Sequence, residues 1–102
     1  MNNEEIKKLL QVLKVLGNFY RLKIIMLFYK ENNLISFKEL QKLFSKSFSS
    51  RSGLRYHLQV LERANLLIRE GGTPRNPYFR LVRAKEKIIK RLIDDLFIYT
   101  ML

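Results

Sequence analysis

Residues 52–62 read SGLRYHLQVLE and residues 66–82 read LLIREGGTPRNPYFRLV, a one-sided helix running into a hairpin. This junction limits the chain to few architectures. At about 100° per residue, Leu54, Leu58 and Leu61 fall on one helical stripe. Ser52, Tyr56, Gln59 and Arg63 fall opposite, Arg55 flanks them, and His57 sits at the border. Leucine therefore defines a buried face, and the outer face carries side chains that hydrogen-bond nucleobase edges or phosphates. After this helix ends near Asn65, LLIRE and PYFRLV predict two strands. They alternate at period two around GGTPRN, whose glycines and proline punctuate a loop with Arg75 and Asn76 at its tip.

Upstream, Ile6, Leu9, Leu10, Leu13 and Leu16 recur at helical spacing and predict an amphipathic helix over 4–16 that stops at Gly17-Asn18. FYRLKIIMLFYK is apolar nearly all round, the pattern of a helix at the centre of a domain. Asn32-Asn33 end it, and Leu34-Ile35 predict a short strand. SFKE, with Ser36 three residues before Glu39, is a capping box opening a third helix that turns Leu40, Leu43 and Phe44 inward. SKSFSS (45–50) reads as a turn plugged into the core by Phe48, with Ser49 or Ser50 capping the next helix. The alternative for that segment is a flexible linker. From Arg83 a final helix runs to the C-terminus with a broad apolar face that includes Ile89, Leu92, Ile93, Leu96 and Phe97.

Twenty Lys and Arg against nine Asp and Glu give a formal net charge of +11, which favours a polyanionic partner. Residues 45–80 alone hold seven basic and two acidic side chains. With 102 residues the chain reads as a single domain near the lower size for a self-sufficient core. A second subunit is then a natural way to cover what one chain leaves open. The absence of cysteine excludes disulfides and thiolate metal sites. No apolar run approaches the ~20 residues of a membrane span, and MNNEEIKK lacks a signal-peptide core, so a soluble cytoplasmic protein with no membrane partner is the expectation.

Helix, helix, short strand, helix, turn, helix, hairpin, helix is the order of a winged helix-turn-helix domain: mainly α with a small antiparallel β-hairpin wing. LRYHLQVLERANLL resembles the recognition helix of ArsR-like regulators, particularly archaeal ones. GGTPRNPYFRL is similar to their wing, and LGNFYRLKII to their second helix, where an arginine follows the glycine by four positions, as Arg21 does here. The resemblance covers residues 13–83, and SKSFSS enlarges the turn relative to the family's spacing.

The resemblance implies a homodimeric transcriptional regulator that binds double-stranded DNA. The helix at about 50–64 would lie in the major groove, and the wing at about 71–77 on the flanking backbone or minor groove. The candidate contacts are Lys46, Ser50, Arg51, Ser52, Arg55, Tyr56, Gln59, Arg63, Arg75 and Asn76. Arginine pairs bidentately with guanine and glutamine with adenine. The terminal helices, 4–16 and 83–102, would form the dimer interface through Ile6, Leu9, Leu10, Leu13, Ile89, Leu92, Ile93, Leu96 and Phe97.

The alternative function is a winged-helix module that holds a protein partner, RNA or chromatin without sequence choice. Membrane-surface attachment through the last helix is opposed by Asp94-Asp95, which read as members of intrahelical pairs with Lys90 and Arg91. No nucleophile–base pair or phosphate-loop pattern suggests an enzyme. No cofactor is expected. Metal sensing would need thiolates or clustered histidines, and the single His57 reads as a packing or backbone-bonding residue. A small-molecule effector, the operator and the sign of regulation are left open.

Overall fold

The computed structural model describes residues 2–31, 33–48 and 51–101, with the side chains of 51, 52, 84, 86, 88 and 96–101 excepted. Its elements are α1 (Asn3–Leu16), α2 (Phe19–Glu31), β1 (Ile35–Ser36), α3 (Phe37–Leu43), α4 (Arg51–Arg63), β2 (Leu67–Gly72), β3 (Pro77–Leu81) and α5 (Arg83–Met101). The strands form one antiparallel sheet in the order β1-β3-β2, so the wing hairpin carries a third strand on the free side of β3, Ile35 opposite Phe79 and Ser36 opposite Tyr78. This is the winged helix-turn-helix order.

Local chemistry accounts for the helix ends. Asn2 Oδ1 accepts the Glu5 N–H at 2.8 Å, and Glu4 and Glu5 complement the positive end of α1. Asn18 does the same for α2, accepting from Tyr20 and Arg21 at 3.0 and 3.1 Å. The predicted strand at 34–35 shifts by one residue to Ile35-Ser36. The extended backbone of Ser36 ends β1 and also begins α3, its hydroxyl accepting the Glu39 N–H at 3.2 Å. Helix α4 closes with Asn65 at φ 58°, and the Leu66 N–H donates to Leu61 O at 3.0 Å, a Schellman arrangement that starts β2 directly.

The core gathers Ile24, Ile25 and Phe28 of α2, Leu40 and Phe44, the three α4 leucines, Leu66, Leu67, Phe79, Leu81 and Ile89. Helix α2 is thus central, although Phe19 and Met26 emerge on its outer flank. Three expectations are corrected. Leu43, predicted to face inward, is 60% exposed at the end of α3, because that helix stops there and Phe44 takes the inward position. Helix α1 does not carry one stripe but two. Leu16 is buried and Val12 and Val15 pack on the core, whereas Ile6, Leu9, Leu10 and Leu13 face out, Leu10 at 54% exposure. Finally, the salt bridges among the described residues do not include Asp94 or Asp95, which stay exposed without the predicted pairs.

Candidate nucleic-acid interface

The three buried leucines of α4 fix its rotation, and the opposite face follows. Tyr56 is 56% exposed, and Gln59 and Arg63 are also exposed. Arg55 is half-buried, its guanidinium 4.7 Å from the centroid of the Phe37 ring at the start of α3. An arginine on an aromatic face loses rotamer freedom before any ligand arrives, and its planar N–H edge stays available. Lys46, in the turn before α4, is exposed. Ser50 and the side chains of Arg51 and Ser52 lie outside the described residues, although Arg51 and Ser52 open α4.

The acids of this region are already paired. Glu62, the one carboxylate in α4, receives Arg69 of β2 through Nε at 3.0 Å and Nη2 at 3.2 Å. Arg69 also lies 5.5 Å from the Phe79 ring centroid. Glu70 pairs with Arg80 across the hairpin. Lys46, Arg55, Arg63 and Arg75 take part in no salt bridge among the described residues. Both acids of residues 45–80 are therefore held by wing-strand arginines, and a surplus of positive charge is left on the outer face of α4, the turn and the wing tip.

The wing tip is a Thr73–Asn76 turn. Thr73 and Asn76 exchange backbone hydrogen bonds at 3.2 and 3.1 Å, which leaves Arg75 exposed at the apex. Gly71 and Gly72 reach it at φ 83° and 82°, where the β2–β3 register shifts. Of the candidate contacts, Asn76 already has a structural role. Its Oδ1 accepts the Lys38 N–H at 3.0 Å, so this acceptor caps α3 and ties the wing to it, and the Nδ2 donor is the part of the amide left for a nucleic-acid contact. Ser36 and Asn76 together satisfy two free N–H groups at the start of α3.

Beneath α4, Phe48 does plug the turn. Its ring lies 5.0 Å from Tyr20, 6.1 Å from Phe44 and 5.5 Å from His57. His57 is not simply a packing residue. Arg21 Nη1 stands 3.2 Å from its Nδ1, and because a guanidinium only donates, Nδ1 accepts and the proton resides on Nε2. Burial, and then the Arg21 charge, hold the imidazole pKa below its ordinary value. Arg21 in turn donates through Nε to Val15 O at 2.7 Å, so one guanidinium links the end of α1 to α4. The Arg21–His57 pair, the Arg69–Glu62 clamp and the Phe37 platform had no signal in the spacing of the sequence.

Of the interface candidates, Ile6, Leu9, Leu10 and Leu13 form an exposed face on α1. Ile89 is corrected: it is 1% exposed and belongs to the chain's own core, because α5 packs on α2 at that turn. Leu92 and Ile93 are half-buried against the same core, and the Leu96 and Phe97 side chains lie outside the described residues. Among the described residues no group of three His, Cys, Asp or Glu side chains is placed to hold a metal. No described helix is long and apolar enough to cross a membrane.

No protein-family model matches the chain, and no curated protein matches it. Solved structures do. HlyU from Vibrio cholerae N16961 superposes with a TM-score of 0.77 at 24% identity, over 94% of this chain and 98% of that one. The transcriptional regulator HlyU from Vibrio vulnificus CMCP6 gives 0.70 at 26% identity, covering 92% of each chain. A transcriptional regulator homologue from Pyrococcus horikoshii OT3 gives 0.68 at 22% identity, over 92% of this chain and 94% of that one. The chain therefore shares, along nearly its whole length, the compact winged-helix fold of solved transcriptional regulators.

Proposed function

We propose that this protein is a sequence-specific, double-stranded DNA-binding transcriptional regulator of the ArsR-like winged helix-turn-helix type. It acts as a homodimer in the cytoplasm, with α4 in the major groove and the wing on the flanking backbone or minor groove. The observation that carries the proposal is the outer face of α4. Arg55, Tyr56, Gln59 and Arg63 line it, and Glu62, the only acid of the helix, is neutralised by Arg69. The Vibrio vulnificus neighbour is a transcriptional regulator, which supports the same reading.

In such a mode Arg55 and Gln59 read base edges, Arg63 and Lys46 contact phosphate, and Arg75 meets the flanking backbone or minor groove. Arg51, Ser52 and Ser50, at the start of α4, belong to the same proposed contact set. Dimerisation pairs the exposed α1 face with its copy and with the distal part of α5, which sets two α4 helices in successive major grooves.

Selection of bound duplexes from a random library at a fixed salt concentration tests this. The expected result is one pseudo-palindromic motif with half-site centres about 10 bp or a multiple apart. Log affinity should fall linearly with log salt by about 0.9 per phosphate neutralised. A steep salt slope without sequence preference would make the protein a general nucleic-acid binder. No duplex binding at low salt would assign the face to a protein partner.

A further inference from the structure

An open groove of about 430 Å³ runs between α2, the end of α3 and α5, with no α4 residue among the described residues lining it. Its walls include Met26, Leu43, Phe44 and Ile93, with Lys23 and Lys30 on α2. No carboxylate is among the described residues lining it. Met26 and Leu43, 45% and 60% exposed, form its lips. The lysines are seven positions apart on α2, about two turns or 10 Å along the helix, with the apolar trough between them.

An occupant matched to this groove has an apolar body and an anionic end. Charge complementarity rejects cationic amphiphiles, and the scarcity of polar wall rejects sugars and nucleotides. A straight acyl chain fits an open trough with a thioether lip, since methionine adapts to flexible apolar partners. We propose that the groove binds a free single-chain carboxylate, a medium- or long-chain fatty acid, whose headgroup is held by Lys23 or Lys30.

The site is also placed to act on α4. Phe44 lines the groove, its ring is 6.1 Å from that of Phe48, and Phe48 lies 5.5 Å from His57 of α4. An acyl chain pressed against Phe44 moves the plug under the turn that positions α4. The binding claim is independent of the proposed DNA function; only this coupling rests on it.

The test is isothermal titration of the full-length protein, without DNA, against octanoate, decanoate and dodecanoate below their micellar concentrations. Saturable binding should tighten by about fourfold per methylene until the trough is filled. Dodecanol and dodecyltrimethylammonium should bind at least tenfold more weakly than dodecanoate. Met26→Glu should weaken dodecanoate at least tenfold, and Lys23→Gln with Lys30→Gln should abolish the preference for carboxylate over alcohol. Lys8→Gln, an exposed charge on α1 remote in sequence from the groove residues, should leave dodecanoate affinity unchanged. Circular dichroism melts establish that the variants are folded, and all the substituted side chains are exposed.

Equal affinity for dodecanoate and dodecanol, or undiminished binding by Met26→Glu, would overturn the proposal. So would binding only to anionic vesicles and not to free acid. The absence of acid binding together with dissociation of a dimer by Met26→Glu would assign the groove to a second copy of the chain. If dodecanoate binds as stated, its effect on DNA affinity is then measured separately. Loss of DNA binding in every condition would refute the regulator reading and leave the ligand site intact.

Discussion

Arg21 and His57, 36 positions apart, are joined by a 3.2 Å contact in which the arginine donates to Nδ1 while its Nε holds the carbonyl of Val15. The guanidinium, the end of α1 and the middle of α4 thus form one unit, with Tyr20, Phe48 and Tyr56 rings around the imidazole. Neutral histidine is required, because an imidazolium has no acceptor for Arg21 and adds a second positive charge beside it.

This contact makes stability pH-dependent in a defined direction. The folded pKa lies below the ordinary 6.5, so the unfolded chain takes up the proton first as pH falls. The stabilisation is fully present above about pH 6.5 and declines as pH drops through the folded pKa. Since the chain has one histidine, its C2 proton resonance reports that pKa directly, with an expected midpoint below 6.5. Arg21→Met should raise the midpoint only in part, because burial is the larger cause. His57→Gln should remove this component of the acid-side fall in melting temperature.

Arg55 and Gln59 are expected to carry base discrimination. Alanine at either position should weaken the preferred duplex by about 1 to 3 kcal/mol and relax preference at one base pair, as read by competition binding. Arg75→Ala should instead lower affinity for all duplexes alike and reduce the salt slope by about 1. Unchanged site preference in Arg55→Ala would show that this residue does not read bases.

The two wing glycines should respond differently to alanine. Both have positive φ, which costs an alanine about 1 to 2 kcal/mol. At Gly71 a Cβ meets open space, but at Gly72 it runs into Asn76 O and the Tyr78 ring. Urea denaturation should therefore show a loss near that backbone cost for Gly71→Ala and a clearly larger one for Gly72→Ala. Equal losses would mean that the turn yields without cost.

The outward stripe of α1 is expected to be covered by a second copy. Leu10→Glu should convert a dimer to a folded monomer by sedimentation velocity, with far-ultraviolet dichroism unchanged. In a protein that were already monomeric the same exposed substitution would cost within about 0.5 kcal/mol and leave sedimentation as it was. A wild-type chain that sediments as a monomer at micromolar concentration would exclude the dimer outright.

Much of this architecture was written in local sequence. The leucine stripe of α4, the Ser36 start of α3, the Phe48 plug and the two-strand wing depend on periodicity and capping, which act over a few residues. The charge surplus of residues 45–80 was equally legible. What periodicity cannot give is the partner of a face. Ile89 and the half-buried Leu92 and Ile93 share one apolar pattern, yet Ile89 meets α2 while its neighbours stay nearer the surface. Likewise Val12 and Leu16 of α1 face the body, and Leu10 and Leu13 do not.

The tertiary structure alone decided where the polar atoms found partners. Asn76 is drawn to the free N–H of Lys38, Glu62 to Arg69, Arg55 to the ring of Phe37, and Arg21 to His57. Each is a contact between segments whose approach is set by packing of the shared core, and a polar group takes the nearest geometrically suitable partner once that packing is complete. The sequence by itself determined that α4 would turn a basic, hydrogen-bonding face outward. The fold determined which of its charges are already neutralised and which stay available.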